Sequence, residues 1–250
     1  SKLFDVNGIR HIIQPSINYA FIPRPNRVPD ELDQFDYELT SPRLLPIEFP
    51  ENNAIDNIDS QNVLRLGLRN RLQTKRSNGL QDVADWDLFT DWRIDPNSGQ
   101  SKFADLFSDA IIRPRSWLSL NSGLRYDLDD SLWRTINHGF TISPKQNRWN
   151  IQGGQYYYLA HPSTSKSDRT DVFYSGLGYR LNENWSFSTR QYYDSKLGEL
   201  AQHDYIIHRD MSSWTFLIDL SFRKATGRRN DETRLSFNYS LKFRPSNPDF

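Results

Sequence analysis

The chain has 250 residues, of which 36% are hydrophobic and 14% aromatic, and its 31 basic side chains balance 31 acidic ones. A formal net charge of zero excludes the basic excess typical of nucleic-acid-binding proteins, so no nucleic-acid partner is predicted. The chain contains no cysteine, which excludes disulfides, thiolate metal sites and cysteine nucleophiles.

The hydrophobic content is low for a soluble core, and the mean hydropathy of −0.74 also fits a barrel with a wet interior. No apolar run is long enough for a transmembrane helix, and the first residues, "SKLFDVNGIR", lack the apolar segment of a signal peptide. The sequence instead alternates apolar and polar side chains in about twelve segments of roughly 9 to 13 residues, the length with which a tilted strand crosses a bilayer. The predicted strands lie near residues 11–22, 61–74, 82–94, 105–113, 117–127, 132–143, 148–160, 171–181, 185–194, 199–209, 213–223 and 233–243.

This pattern predicts an all-β fold, an antiparallel transmembrane β-barrel of about 12 strands that is either complete or part of a larger barrel. Residues 1–250 would form one outer-membrane β-barrel domain with a long loop at about residues 24–60. Pro15 lacks a backbone donor, so the first strand is expected at an edge, a strand start or a bulge.

The second predicted strand contains "VLRLGLRNRLQ", in which leucines and arginines fall on opposite faces. If the second and third strands pair so that residue numbers sum to 156, Arg65 faces Asp91 and Leu68 meets Leu88. We predict this register and a lumen-facing charged wall. Its residues are Arg65, Arg69, Arg71, Asp85, Asp87 and Asp91.

The predicted connections differ in length between the two ends of the strands. "RPRS", "SPKQNR", "LNEN" and "DMSS" are short, whereas the segments at 24–60, 161–171 and 224–232 are longer. Short turns on one rim and longer loops on the other are typical of outer-membrane barrels. Five tryptophans at or close behind short turns predict an aromatic belt at one membrane interface: Trp86, Trp117, Trp149, Trp185 and Trp214.

The last predicted strand, "TRLSFNYSLKF", separates an apolar face from a polar one. The apolar face carries Leu235, Phe237, Tyr239, Leu241 and Phe243. A soluble sandwich also alternates in this way, but it would show more apolar runs and fewer charges within its strands. We therefore expect lipid on the apolar face and water on the other, with a soluble all-β binding protein as the alternative.

The five histidines, His11, His138, His161, His203 and His208, show no ligand spacing typical of a metal site. No residue is marked as a nucleophile, so we predict no enzyme, no cofactor and no metal. A phospholipase-like barrel using Ser and His138 or His203 remains an alternative. Gly176 and Gly178 are expected to allow curvature or a close neighbour, because no helix follows them to form a phosphate loop.

The segment "RHIIQPSINYAFIP" and the later "NNAIDNIDSQNVLRLGLRNRLQTK" resemble the C-terminal barrel region of LptD, the lipopolysaccharide-assembly outer-membrane protein family once called organic-solvent-tolerance protein. The resemblance is carried by Arg10, His11, Pro15, Tyr19, Pro23, Asn53, Asp56, Asn62, Leu64, Leu66, Gly67, Leu68 and Arg71. Gln202, Tyr205, Arg209, Asp210 and Trp214 also resemble the family's later strands.

The resemblance implies a translocon of the Gram-negative cell outer membrane that inserts lipopolysaccharide into the outer leaflet. Its implied partners are lipopolysaccharide, outer-membrane lipids, the lipoprotein plug LptE and the barrel-assembly machinery. Lipid A would leave through a lateral seam between the first and last strands of the barrel, and residues 233–243 would supply the last strand. A self-contained outer-membrane pore of about 12 strands is the alternative function.

Overall fold

The chain forms twelve β-strands in the part that the computed structural model describes, residues 6–27, 31, 33, 60–76, 79–96, 100–144, 148–159, 169–225 and 230–242. The strands are β1 (Asn7–Ile22), β2 (Gln61–Arg76), β3 (Gly79–Arg93), β4 (Leu106–Arg115), β5 (Leu118–Asp127), β6 (Leu132–Ile142), β7 (Trp149–Leu159), β8 (Arg169–Arg180), β9 (Trp185–Asp194), β10 (Glu199–Asp210), β11 (Trp214–Arg223) and β12 (Glu232–Leu241).

All twelve strands belong to one sheet, in which each strand neighbours the next along the chain from β1 to β12. The ladders at both ends of this order are antiparallel, including β1–β2, β2–β3, β10–β11 and β11–β12. The predicted all-β fold, with twelve antiparallel strands in one sheet, is confirmed. Four strands begin earlier than predicted: β1 at Asn7, β3 at Gly79, β8 at Arg169 and β12 at Glu232.

The chain divides into two compact units. The first comprises residues 1–115, 121–138 and 157–169 and contains the whole of β1 to β4. The second comprises residues 116–120, 139–156 and 170–250 and contains the whole of β9 to β12. The single barrel domain over residues 1–250 stays a prediction.

Strand β1 lies at one end of the sheet order, and Pro15 stands in register with Leu68 of β2. This position agrees with the expected edge, because proline cannot donate to a ladder on both sides. Next to this pair, the Ser16 side chain occupies the space that a Cβ atom at Gly67 would need. A glycine at position 67 therefore allows β1 and β2 to keep an uninterrupted register from Arg10 to Ile22.

Two connections are four residues long, as the predicted strand bounds require. Residues 128–131 join β5 to β6, and the Asp127 Oδ1 atom accepts hydrogen bonds from the Asp129 and Asp130 amides, both at 3.0 Å. Residues 195–198 join β9 to β10, where Asp194 Oδ1 accepts from the Lys196 amide at 2.9 Å. An aspartate that binds backbone amides two or three residues ahead stabilises a tight turn. The predicted strands end at 127 and 194 and resume at 132 and 199, so the bounds at both connections are confirmed.

The longer loops of the prediction are only partly described. The long loop at about 24–60 falls outside the described residues except for 24–27, 31, 33 and 60.

An ion pair lies at the end of β11, where the Lys224 Nζ atom is 3.0 Å from Glu199 Oε2. A hydrogen bond to the Glu199 carboxylate raises the pKa of Lys224 above its ordinary value.

Buried side chains are more often polar than apolar among the described residues. The buried hydrophobic ones are Val63, Ala104, Phe107 and Leu159. The buried polar or charged ones are Gln73, Thr74, Asp91, Arg93, Asp127, Thr135 and Asp204. A soluble domain of this size buries many large aliphatic side chains, so this distribution is the reverse of a water-soluble core.

Candidate functional site

The charged residues of β2 and β3 share one face of the sheet, which we call the charged face. Residue numbers of all opposed pairs from Val63 and Arg93 to Leu72 and Ala84 sum to 156, so the predicted register is confirmed over this stretch. A bulge between Leu72 and Gln73 shifts the pairing beyond it. Because opposed residues in an antiparallel pair point to the same side, this register brings the three arginines and three aspartates together.

The ion pairs of the charged face follow the register at one end and cross it diagonally at the other. Arg65 and Asp91 form two hydrogen bonds of 2.7 and 2.8 Å, with their side chains 16% and 8% exposed. Arg69 instead binds Asp85, with its Nε atom 2.9 Å from Oδ1, and lies 3.6 Å from its directly opposed partner Asp87. The two-point contact fits the flat guanidinium, which donates in parallel to both carboxylate oxygens.

Arg71 is left without Asp85, its opposed residue, because Arg69 takes that carboxylate. Its Nη2 atom donates instead to the side-chain oxygen of Gln14 in β1, at 3.4 Å. The charged wall therefore extends sideways into β1, which the sequence analysis did not predict.

Two aromatic rings also lie on the charged face and were missed by sequence reasoning. Phe89 of β3 stands opposite Phe107 of β4, and their rings stack with centroids 5.9 Å apart. The Arg125 guanidinium lies 5.2 Å from the Phe107 centroid and forms an ion pair with Asp105. The odd-numbered positions of Phe89 and Phe107 were the available signal, since they share the parity of the aspartates.

The opposite side of β2 and β3 is apolar, as the pattern predicted. Leu64 faces Trp92, and Leu68 faces Leu88. The same side of β1 carries Ile17, which is 70% exposed. Large aliphatic side chains on this side thus lie in contact with the surroundings of the sheet.

The predicted seam strand has the same two-sided character. In β12 the apolar residues Leu235, Phe237, Tyr239 and Leu241 stand opposite Leu220, Ile218, Phe216 and Trp214 of β11. Phe237 is 60% and Tyr239 69% exposed. Phe243 lies outside the described residues. The other side of β12 carries Arg234, Ser236, Asn238 and Ser240.

Four of the five predicted belt tryptophans lie at strand starts or in a turn of the second unit. Trp149, Trp185 and Trp214 are the first residues of β7, β9 and β11, and Trp117 lies in the turn before β5. The prediction is wrong for Trp86, which lies seven residues inside β3 because that strand begins at Gly79. Its indole Nε1 atom donates to Ser108 Oγ at 2.8 Å.

The remaining two tryptophans were not predicted as a group. Trp92 is the second-last residue of β3, where its ring stacks on Phe103 at 6.3 Å. Trp133 is the second residue of β6 and meets Tyr126 edge-on at 5.0 Å. Trp92 therefore lies beside the connection from β3 to β4, and Trp133 lies beside the connection from β5 to β6.

The histidines considered for catalysis are placed on the two faces separately. His203 stacks on Phe222 at 4.7 Å, on the apolar side of β10 and β11. Asp204 points to the opposite side, where it accepts a hydrogen bond from Ser221 at 2.6 Å. His203 is therefore not brought to this Ser and Asp pair, and His138 lies in β6. The absence of enzyme activity stays a prediction.

Gly176 and Gly178 have the packing role expected for them. A Cβ atom added at Gly176 would lie 2.8 Å from the Gln152 Nε2 atom. One added at Gly178 would lie 2.6 Å from the Asn150 Nδ2 atom, so both glycines allow a close neighbour. Among the described residues no group of acidic or histidine side chains could hold a metal ion, and no helix has the length and apolarity to cross a membrane.

No protein-family model and no curated protein sequence matches the chain. Among solved structures, the chain is similar to a BenF-like porin from Pseudomonas fluorescens Pf-5, at 11% sequence identity and a TM-score of 0.34. The match covers 96% of this chain and 65% of the porin chain, so this chain spans less than two thirds of the porin. Function is therefore inferred from the geometry of the chain itself.

Proposed function

We propose that the chain forms part of the wall of an outer-membrane β-barrel that passes lipopolysaccharide to the outer leaflet. Its apolar side faces lipid, and its charged face lines a hydrated interior. One observation carries this proposal: large apolar side chains such as Phe237 are exposed while the Arg65 and Asp91 pair is almost buried. This arrangement suits a sheet with lipid outside and water inside.

The two faces also suit a cargo that is itself amphipathic. Lipopolysaccharide joins phosphorylated sugars to acyl chains, so a wall that moves it needs a hydrated charged surface next to an acyl-binding one. The paired charges of β2 and β3 supply the first surface, and the apolar side of β11 and β12 supplies the second. No catalytic residue is required, because release into a leaflet breaks no covalent bond.

The resemblance to the LptD family is the reason for proposing lipopolysaccharide as the cargo. That family releases lipid A between its first and last strands, and by this resemblance residues 233–243, most of which lie in β12, would supply the last strand. A pore for small solutes would use the same charged face but would have no need to bind acyl chains.

The proposal can be tested with single cysteines at neighbouring positions of β12, since the chain has no cysteine of its own. In vesicles, a charged thiol reagent should label Asn238→Cys and leave Phe237→Cys unlabelled, because only the first points to the hydrated side. Purified lipopolysaccharide should protect Asn238→Cys from labelling. Maltooligosaccharides of similar mass are the control cargo and should not protect it.

Equal labelling of both cysteines would contradict the membrane-spanning wall. Labelling of Asn238→Cys alone, with no protection by lipopolysaccharide, would keep the wall and contradict the transport proposal in favour of a pore.

A further inference from the structure

A cleft of about 400 Å³ lies at the short-turn end of β7 to β10, within the second unit. It is lined by the last residue of β8, the turn that follows, and the ends of β9 and β10. Asn182 shapes the turn, since its Oδ1 atom accepts hydrogen bonds from the Asn184 and Trp185 amides, both at 2.9 Å. The Asp210 amide donates to the Asn184 carbonyl at 2.6 Å and joins the two turns. These hydrogen bonds hold the two turns that border the cleft in place.

Three side chains form a row across this cleft. Ser186 of β9 stands directly opposite Arg180 of β8 and directly opposite His208 of β10. Opposed residues share a face, so the small serine leaves a gap between a guanidinium and an imidazole. All three line the cleft.

The Arg180 guanidinium forms no hydrogen bond or ion pair within the described part of the chain. Asp210, which also lines the cleft, is occupied by an ion pair with Lys242 and by a hydrogen bond from Thr215 at 3.3 Å. The positive charge of Arg180 is therefore available to a ligand, together with an N–H donor of His208 and the hydroxyl of Ser186.

Amide and indole groups complete the lining. Asn150 reaches into the space left by Gly178, where any Cβ atom would lie 2.6 Å from its Nδ2 atom. Trp149 and Trp185 border the same cleft. Tryptophans at strand ends are typical of the headgroup level of a membrane, where an anionic lipid presents its phosphate.

The geometry points to a binding site for the phosphate ester of an amphiphile, held between Arg180 and His208 over Ser186. A guanidinium donates two parallel hydrogen bonds to phosphate oxygens, and the hydroxyl and imidazole supply further donors. Glu183 also lines the cleft, and its negative charge should weaken the binding of an anion. The site needs only the local geometry of β7 to β10 and stands whether or not the chain moves lipopolysaccharide.

The test is a lipid titration of the full chain in dodecyl maltoside micelles, followed by native mass spectrometry. Dioleoyl phosphatidic acid should bind, and monogalactosyl diacylglycerol, which has no phosphate, should not saturate. Arg180→Gln should weaken phosphatidic acid binding by about tenfold or more, and adding His208→Gln should weaken it further. Arg180 has no side-chain partner to lose, so its variant should keep the far-ultraviolet circular dichroism of the wild type.

Arg190→Gln is the matched control, since Arg190 lies on the same face of β9, four residues from Ser186. It should leave the affinity unchanged. Glu183→Gln should strengthen binding, because it removes a like charge from the cleft. Competition by inorganic phosphate at equal concentration would assign the site to the free anion, and its failure to compete would assign it to the lipid headgroup; phosphate recognition stands in both cases.

Wild-type affinity in the Arg180→Gln variant, or an equal loss in Arg190→Gln, would overturn the site in favour of diffuse charge attraction. Weaker binding in Glu183→Gln would overturn it in favour of a cation or sugar site.

Discussion

At the scale of single residues, the Arg65 and Asp91 pair differs from the Arg69 and Asp87 pair in burial. The Asp91 side chain is 8% exposed, and the Asp87 side chain 40%. Removing one member of a buried pair leaves an uncompensated charge, at a cost of about 3 kcal/mol or more. We expect Asp91→Asn to lower the free energy of unfolding by about that amount, measured by tryptophan fluorescence in urea with a fixed detergent.

Asp87→Asn is the control, because an exposed ion pair contributes about 0 to 1 kcal/mol. The two substitutions remove the same charge from the same face of the same strand. Equal effects would contradict the difference in burial on which the prediction depends.

Residue roles were predictable where parity alone decides them. The alternation of Arg65, Arg69 and Arg71 with leucines assigns each side chain to a face, and the structure keeps that assignment. Parity does not give the rotamers of long side chains, so the diagonal contact of Arg69 with Asp85 could not be predicted. The location of Trp86 was missed for a different reason, since β3 begins at Gly79, three residues before the predicted start at 82.

At the scale of elements, the register of β2 and β3 is the strongest sequence-based result, because charge spacing and apolar spacing both require the same pairing. We expect Leu68→Cys with Leu88→Cys to form a disulfide or react with a short bismaleimide, since these positions are directly opposed on the apolar side. Non-reducing gel mobility measures the cross-link. The chain has no cysteine that could compete.

A shifted pair tests the alternative register. Leu68→Cys with Trp86→Cys lies on the same side but two residues out of register, so its cross-linking should be several-fold slower. A faster reaction of this second pair would mean that the two strands slide past the predicted pairing.

The connections leave a weaker signal of their own in the sequence than the strands. Alternation over a strand repeats the same signal several times, whereas a turn depends on one or two hydrogen bonds, such as those accepted by Asp127 and Asp194. The ends of the alternating segments placed both connections correctly without these aspartates. Their positions two or three residues before the amides they bind are a further signal of a tight turn.

At the scale of the whole molecule, the sheet order starts at β1 and ends at β12. An edge strand in a bilayer cannot leave its backbone donors and acceptors without partners, because the lipid supplies none. The Lys242 amide donates to the Ser213 carbonyl at 2.9 Å, so the even-numbered amides of β12 point toward β11 and the odd-numbered ones toward its outer edge. The amides of Phe237 and Tyr239 therefore need a partner strand in the membrane.

The proposed translocon meets this need with further barrel strands, whereas a self-contained pore meets it by pairing β1 with β12. We expect the 250-residue chain alone, refolded in detergent, to give no compact band on a semi-native gel, since a larger barrel needs strands that these residues do not supply. Heated and unheated samples should then migrate alike. A compact band that heating converts to a slower one would instead show that the twelve strands close on themselves, and would favour the small pore over the translocon.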